Sequence, residues 1–79
     1  MKVRLFARAR ELAGADHIDV VLPVGATVSD LRQRLAQEFP ALAALLQRSA
    51  IAVNDEFADD ATPLPPDAEV ALLPPVSGG

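Results

Sequence analysis

The 79-residue sequence predicts an α+β fold, a mixed sheet of four to five strands packed on one main helix. Three observations predict it. Apolar and polar residues alternate near both ends of the chain, the period of half-buried strands. Between them lies one amphipathic stretch, Thr27 to Phe39, with its own start and stop signals. Pro63, Pro65 and Pro66 then bar any central strand from the segment before the final alternation.

Lys2 to Arg8 alternates strictly, which places Val3, Leu5 and Ala7 on one face and Lys2, Arg4, Phe6 and Arg8 on the other. Arg10 to Gly14 reads as a turn of helix closed by glycine. His17 to Pro23 is expected as a second strand, with Ile18, Val20 and Leu22 inward, joined to the first as an antiparallel hairpin with an enlarged loop. Thr27 offers its hydroxyl to the orphan N–H groups of the main helix, and Asp30 is spaced to reach back in a capping box. Val28, Leu31, Leu35 and Phe39 form the apolar stripe of that helix, and Pro40 ends it. Ala41 to Arg48 is a short second helical piece. Ala50 to Asn54 is a third strand with Ile51 and Val53 inward, followed by a turn at Asn54-Asp55-Glu56 that lacks the favoured glycine. Phe57 to Leu64 holds at most a short edge strand. Glu69 to Leu73 is the last strand, with Val70 and Leu72 inward and Glu69, Ala71 and Leu73 outward.

The order β-β-α-β-(β)-β around one long helix is that of a β-grasp, with the first and last strands as parallel neighbours because the crossover between them contains the helix. The expected core is Val3, Leu5, Ile18, Val20, Val28, Leu31, Leu35, Ile51, Val53, Val70 and Leu72. Residues 1–75 are expected to form this single domain and residues 76–79 a flexible tail. A chain this short has residues for only one core, and it buries about 60% of its unfolded surface.

Composition excludes several functions. There is no cysteine, which removes disulfides, zinc–thiolate sites and a thiol nucleophile, and means that any sulfur the chain were to carry could not sit on a side-chain thiol. Eleven acidic residues against seven basic ones give a net charge of −4, the wrong sign for a general nucleic-acid binder. No secretory segment and no membrane span is expected, so the reading is cytoplasmic. His17, the single histidine, reads as a solvent-side residue at a strand end, and Asp59-Asp60 as a solvated turn rather than a metal pair. No glycine-rich phosphate loop is present. The chain lacks the parts for catalysis by itself, and no bound cofactor or metal is expected.

Two features resist a purely structural explanation. One is the ending, Pro74-Pro75-Val76-Ser77-Gly78-Gly79. A small-residue terminus is ordinarily a frayed tail. Here Pro74 and Pro75 hold the exit from the strand extended, and Gly78 and Gly79 have no Cβ, so the tip suits a passage too narrow for side chains. Capture of a terminal carboxylate by a partner is an established recognition mode. The other feature is the outer sheet face, where Phe6 and Leu73 project from neighbouring strands with Ala71 between them and Arg4, Arg8 and Arg10 around them. Phe57 either joins this patch or fills the core beneath its loop. A contiguous apolar patch rimmed by charge marks a partner surface.

On these residues the sequence resembles the small-subunit family of molybdopterin synthase, the ubiquitin-like sulfur carriers. The resemblance spans the chain and rests on Val3 to Gly14, Thr27-Val28-Ser29-Asp30-Leu31, Val53-Asn54 and Glu69 to Gly79. The last stretch is the most specific, since related carriers share Gly-Gly but usually not Pro-Pro-Val-Ser before it. The resemblance implies that an ATP-dependent, ubiquitin-activating-type enzyme adenylates Gly79 and that the adenylate becomes a thiocarboxylate. Val76, Ser77, Gly78 and Gly79 would then insert into the large synthase subunit, which holds the catalytic residues. There the thiocarboxylate would donate sulfur to the cyclic pyranopterin precursor of the molybdenum cofactor. It further implies a partner face drawn from Phe6, Arg10, Phe57, Leu73, Pro74 and Pro75, and a heterotetramer of two large and two small subunits. Leu73 stands where the family commonly has an aromatic residue, and Leu64 to Ala68 lacks a common Asp-Gly turn. A carrier for thiamine or tRNA thiolation, a protein modifier joined through Gly79, and a β-grasp binding module with an inert tail are the other readings.

Overall fold

The computed structural model describes residues 1–75; Val76, Ser77, Gly78 and Gly79 lie outside the described residues. Five strands form one sheet: β1 (Lys2–Leu5), β2 (His17–Asp19), β3 (Ala50–Val53), β4 (Glu56–Ala58) and β5 (Val70–Leu73). Their spatial order is β2-β1-β5-β3-β4. The central pair, β1 and β5, is parallel, and every other pairing is antiparallel. Helices α1 (Ala7–Ala13), α2 (Val28–Glu38) and α3 (Ala43–Leu46), with a 3-10 turn at Pro40–Leu42, make up the rest of the regular structure. This is the β-grasp fold expected of the element order.

The main helix starts where its chemistry says it should. The Thr27 Oγ1 accepts the Asp30 backbone N–H at 3.4 Å, and Asp30 Oδ2 accepts the Thr27 N–H at 2.8 Å, completing the capping box. Val28, Leu31 and Leu35 are fully buried against the inner sheet face, where Val3, Leu5, Ile18, Val20, Ile51, Val53, Val70 and Leu72 converge. All eleven expected core residues are therefore buried. The core is larger than expected, because Ala9, Leu42, Leu45, Leu46, Leu64 and Ala68 join it.

Several boundaries differ from expectation, three of them on the strands that flank the site. The first strand stops at Leu5 rather than Arg8, because Ala7 turns to a left-handed φ of 51° and the chain enters α1 there. Ala7 is consequently exposed rather than inward, and Ala9 becomes the buried residue of that segment. Gly14 closes α1 as expected, at φ 71°, with its N–H bonded to the Arg10 carbonyl. The second strand ends at Asp19 instead of Pro23. Val20 still points inward and donates its N–H to the Met1 carbonyl, but the chain then bends into a turn in which Ala26 N–H bonds to Pro23 C=O. The last strand begins at Val70, since Glu69 is held by the β3–β4 turn: its N–H donates to Asn54 Oδ1 and its C=O accepts the Asn54 N–H.

The turn without glycine forms nonetheless. Asn54 and Asp55 adopt φ values of 51° and 68°, the left-handed pair of a type I′ hairpin, and Val53 faces Glu56 across it. Asp59 Oδ1 accepts from Ala61 N–H and Thr62 Oγ1, as a local turn should, while Asp60 pairs with Arg32 at 2.8 Å.

Candidate docking face

The outer face of the sheet carries no helix, and it holds both exposed phenylalanines, Phe6 and Phe57. Strand alternation sends Arg4, Ala52, Phe57, Ala71 and Leu73 to this side, opposite the buried Val3, Leu5, Ile51, Val70 and Leu72. Register sets the neighbours. Arg4 lies opposite Ala71, Ala52 opposite both Ala71 and Phe57, and Ala50 opposite Leu73.

Phe6 follows β1 directly, and it keeps the outward direction although the strand has ended. Its extended backbone, φ −129° and ψ 154°, serves as the N-cap of α1. The ring is 37% exposed, and the Arg4 guanidinium carbon sits over it at 5.5 Å from the centroid. Phe57 is 78% exposed in edge strand β4, so it belongs to the outer patch and does not fill the core. Leu73 and Pro74 are half-buried and Pro75 is exposed. Phe6, Phe57, Leu73, Ala71 and the Ala52 floor line one shallow hollow of about 260 Å³, with Arg4, Asp55 and Glu69 at its rim.

Beside it, over β1 and β2, runs an open trough of about 710 Å³. Lys2, Arg4 and Arg10 enter it from one side of the charge balance, and Asp16, Asp67 and Glu69 from the other. Arg10, on α1, therefore shares a surface with Phe6 although the two lie on different elements. His17 also lines this trough and is exposed, as its place at a strand end implies.

Of the sequence-derived site residues, Phe6, Phe57 and Leu73 are brought together, Arg10 lies on the adjoining trough, and Pro74 and Pro75 lead out of β5. The expectations for Val76, Ser77, Gly78 and Gly79 fall outside the described residues. Ala52 is the residue that sequence reasoning overlooked. Its signal was present, because a residue between inward Ile51 and Val53 must face outward. Among the described residues no cluster of three or more potential metal ligands occurs, and no helix is long and apolar enough to cross a membrane.

An uncovered sheet face that is apolar at its centre and charged around it can bind another protein.

Comparison with known proteins agrees in fold and in family. Residues 3–79 match the ThiS family. The molybdopterin synthase sulfur carrier subunit of Arabidopsis thaliana is 37% identical over 79 residues, covering 100% of this chain and 82% of the relative. The crystal structure of SAMP1 from Haloferax volcanii superposes with a TM-score of 0.86 at 31% identity, covering 99% of this chain and 97% of that one. A chain from the complex of subunits 1 and 2 of the molybdopterin-converting factor of Helicobacter pylori gives a TM-score of 0.70 at 32% identity, covering 99% and 96%. Carrying a β-grasp body, a bare outer face and a family match over nearly its whole length, the chain belongs to the ThiS family and is similar throughout to the sulfur carrier subunits of molybdopterin synthase.

Proposed function

We propose that this protein is the sulfur carrier subunit of molybdopterin synthase, with Gly79 as its working residue. The full-length similarity to proteins bearing that name carries the reading. The chemistry of the ending supports it. A terminal carboxylate, of ordinary pKa about 3.3–3.7, is ionised at neutral pH and is a poor electrophile. Attack of its oxygen on the α-phosphorus of ATP in an activating enzyme releases pyrophosphate and leaves an acyl adenylate. Sulfide then displaces AMP, and the product is a thiocarboxylate at Gly79. In the large subunit this sulfur bonds to the cyclic pyranopterin precursor, and water then cleaves the acyl–sulfur bond, leaving the sulfur on the precursor and regenerating the carboxylate. A dithiolene contains two sulfurs, so two charged carriers are consumed per product.

In this division of labour the body recognises and the tail reacts. The patch of Phe6, Phe57 and Leu73 docks on the large subunit, flanked by Arg10, while Pro74 and Pro75 direct Val76, Ser77, Gly78 and Gly79 into the partner's cavity. The H. pylori relative was solved as a complex of subunits 1 and 2, which supports a large-subunit partner. The domain at 1–75 and the tail at 76–79 are the units of this scheme, and the cytoplasm is where it would operate. Intact-mass analysis after incubation with an activating enzyme, ATP and a sulfur source tests it. The expected product is heavier by about 16 Da, oxygen replaced by sulfur. An unchanged mass with a demonstrably active enzyme would refute the reading.

One observation favours a second role. SAMP1 is a small archaeal modifier protein. Gly79 activated in the same way would then be attacked by a lysine amine, and Gly-Gly remnants on cellular proteins would reveal it.

A further inference from the structure

Among the described residues the cations divide by their partners. Arg8 pairs with Glu11 at 3.2 Å, Arg32 with Asp60 at 2.8 Å and Arg34 with Glu38 at 3.6 Å. Lys2, Arg4, Arg10 and Arg48 enter none of these pairs, and the first three line the trough on the outer face. Arg4 has the most consequential position, because it borders both the trough and the apolar hollow. Its cross-strand neighbours are His17 on β2 and Ala71 on β5, neither of which offers a carboxylate, and Glu69, which borders both cavities with it, makes no ion pair to it. The Phe6 ring attracts the cation but accepts none of its five N–H bonds in the way an oxygen would.

A partner that covers Phe6, Ala71 and Leu73 must also cover Arg4, which touches the first and faces the second. Taking that guanidinium out of water without an acceptor opposes binding strongly. The group that matches a planar five-donor fork and neutralises its charge is a carboxylate, held bidentately.

We infer that Arg4 is a specificity-determining residue of the docking face, read by a carboxylate on the large synthase subunit. The inference rests on the function proposed above. Phe6 holds the guanidinium in place before docking, so little side-chain freedom is lost on binding. Large subunits with a neutral or basic residue opposite Arg4 are rejected, because they leave a buried cation unpaired.

Calorimetric titration of the full chain with its large subunit, at low and high salt, tests this with Arg4→Met and Arg4→Lys. Arg4→Met is expected to keep the wild-type melting temperature, since the side chain is exposed. It should lose at least about 30-fold in affinity and part of the salt dependence. Arg4→Lys should recover part of both. A large-subunit Asp→Asn or Glu→Gln substitution should remove the difference between wild type and Arg4→Met. Binding of Arg4→Met within about twofold of wild type would overturn the inference while leaving the carrier function standing. So would equal losses in both variants with an unchanged salt dependence, the signature of packing alone. Failure of the wild type to bind any large subunit would remove the proposed function, and the inference with it.

Discussion

Phe57 and Leu72 sit two strands apart, and their side chains take opposite sides of one sheet. Leu72 is fully buried, beneath α2 and among Val3, Leu5 and Ile51, whereas Phe57 leaves 78% of its surface in water above Ala52. Removing each should therefore show in a different measurement. Leu72→Ala leaves a cavity in the only core of the described domain and is expected to cost about 2–5 kcal/mol in urea denaturation. Phe57→Ala should change stability by no more than about 0.5 kcal/mol, as exposed positions do. Its loss should appear in association with the large subunit, weakened about tenfold or more as for an aromatic anchor. A Phe57→Ala protein that melts early and docks normally would place this ring in the body's stability and not on its partner surface.

At the scale of elements, the two hairpins show what local chemistry decides and what it leaves to the fold. The β3–β4 turn runs through Asn54 and Asp55, both at positive φ, which Asn and Asp tolerate better than other side chains but less well than glycine. Asp55→Gly should relieve the second position, giving about 0.5–1 kcal/mol of stability and a melting temperature raised by several degrees in thermal denaturation. The α2 capping box was legible in the sequence because its hydrogen bonds are made three residues apart, by side chains whose identities announce them. The start of α1 was not. Leu5-Phe6-Ala7-Arg8 continues the alternation of β1, and the turn at Ala7 puts a non-glycine residue at φ 51° without any side-chain cap from Phe6. Burial of Ala9 and half-burial of Leu12 and Ala13 accompany that turn, and those contacts come from distant elements that no local pattern contains. The added core residues Leu42, Leu45 and Leu46 were hidden for a related reason. Their segment is too short for a periodicity, so its apolar side could be known only once the sheet lay beneath it. The docking face was more legible, since alternation alone places Phe6, Ala71 and Leu73 outward, but the standing of Phe57 required knowing that β4 pairs with β3.

Over the whole molecule, the parallel pairing of β1 and β5 sets both halves of the proposed function side by side. The two strands run in the same direction, so Phe6 at the end of β1 and Leu73 at the end of β5 reach the same end of the sheet. Pro74 and Pro75 therefore leave the body beside the docking patch. Six residues follow Leu73, which span at most about 20 Å when extended. Under the proposed function, docking the face would fix the origin of an arm of set length, and the residue count would set the position of its last carboxylate in the partner. Deleting Gly79 tests this geometry, because Gly78 then supplies a terminal carboxylate of the same chemistry, drawn back by about 3.5 Å. Misplacement of a reacting group by as little as 1 Å can cost about 100-fold in rate. The truncated protein is accordingly expected to lose at least that factor in sulfur transfer, measured as molybdopterin formed with the large subunit. Its urea denaturation curve should match the full chain's, since among the described residues every core residue lies between Val3 and Leu72. Transfer at the full rate from the shortened arm would mean that the reaction does not depend on where the tail ends, and the carrier mechanism built on Gly79 would fall.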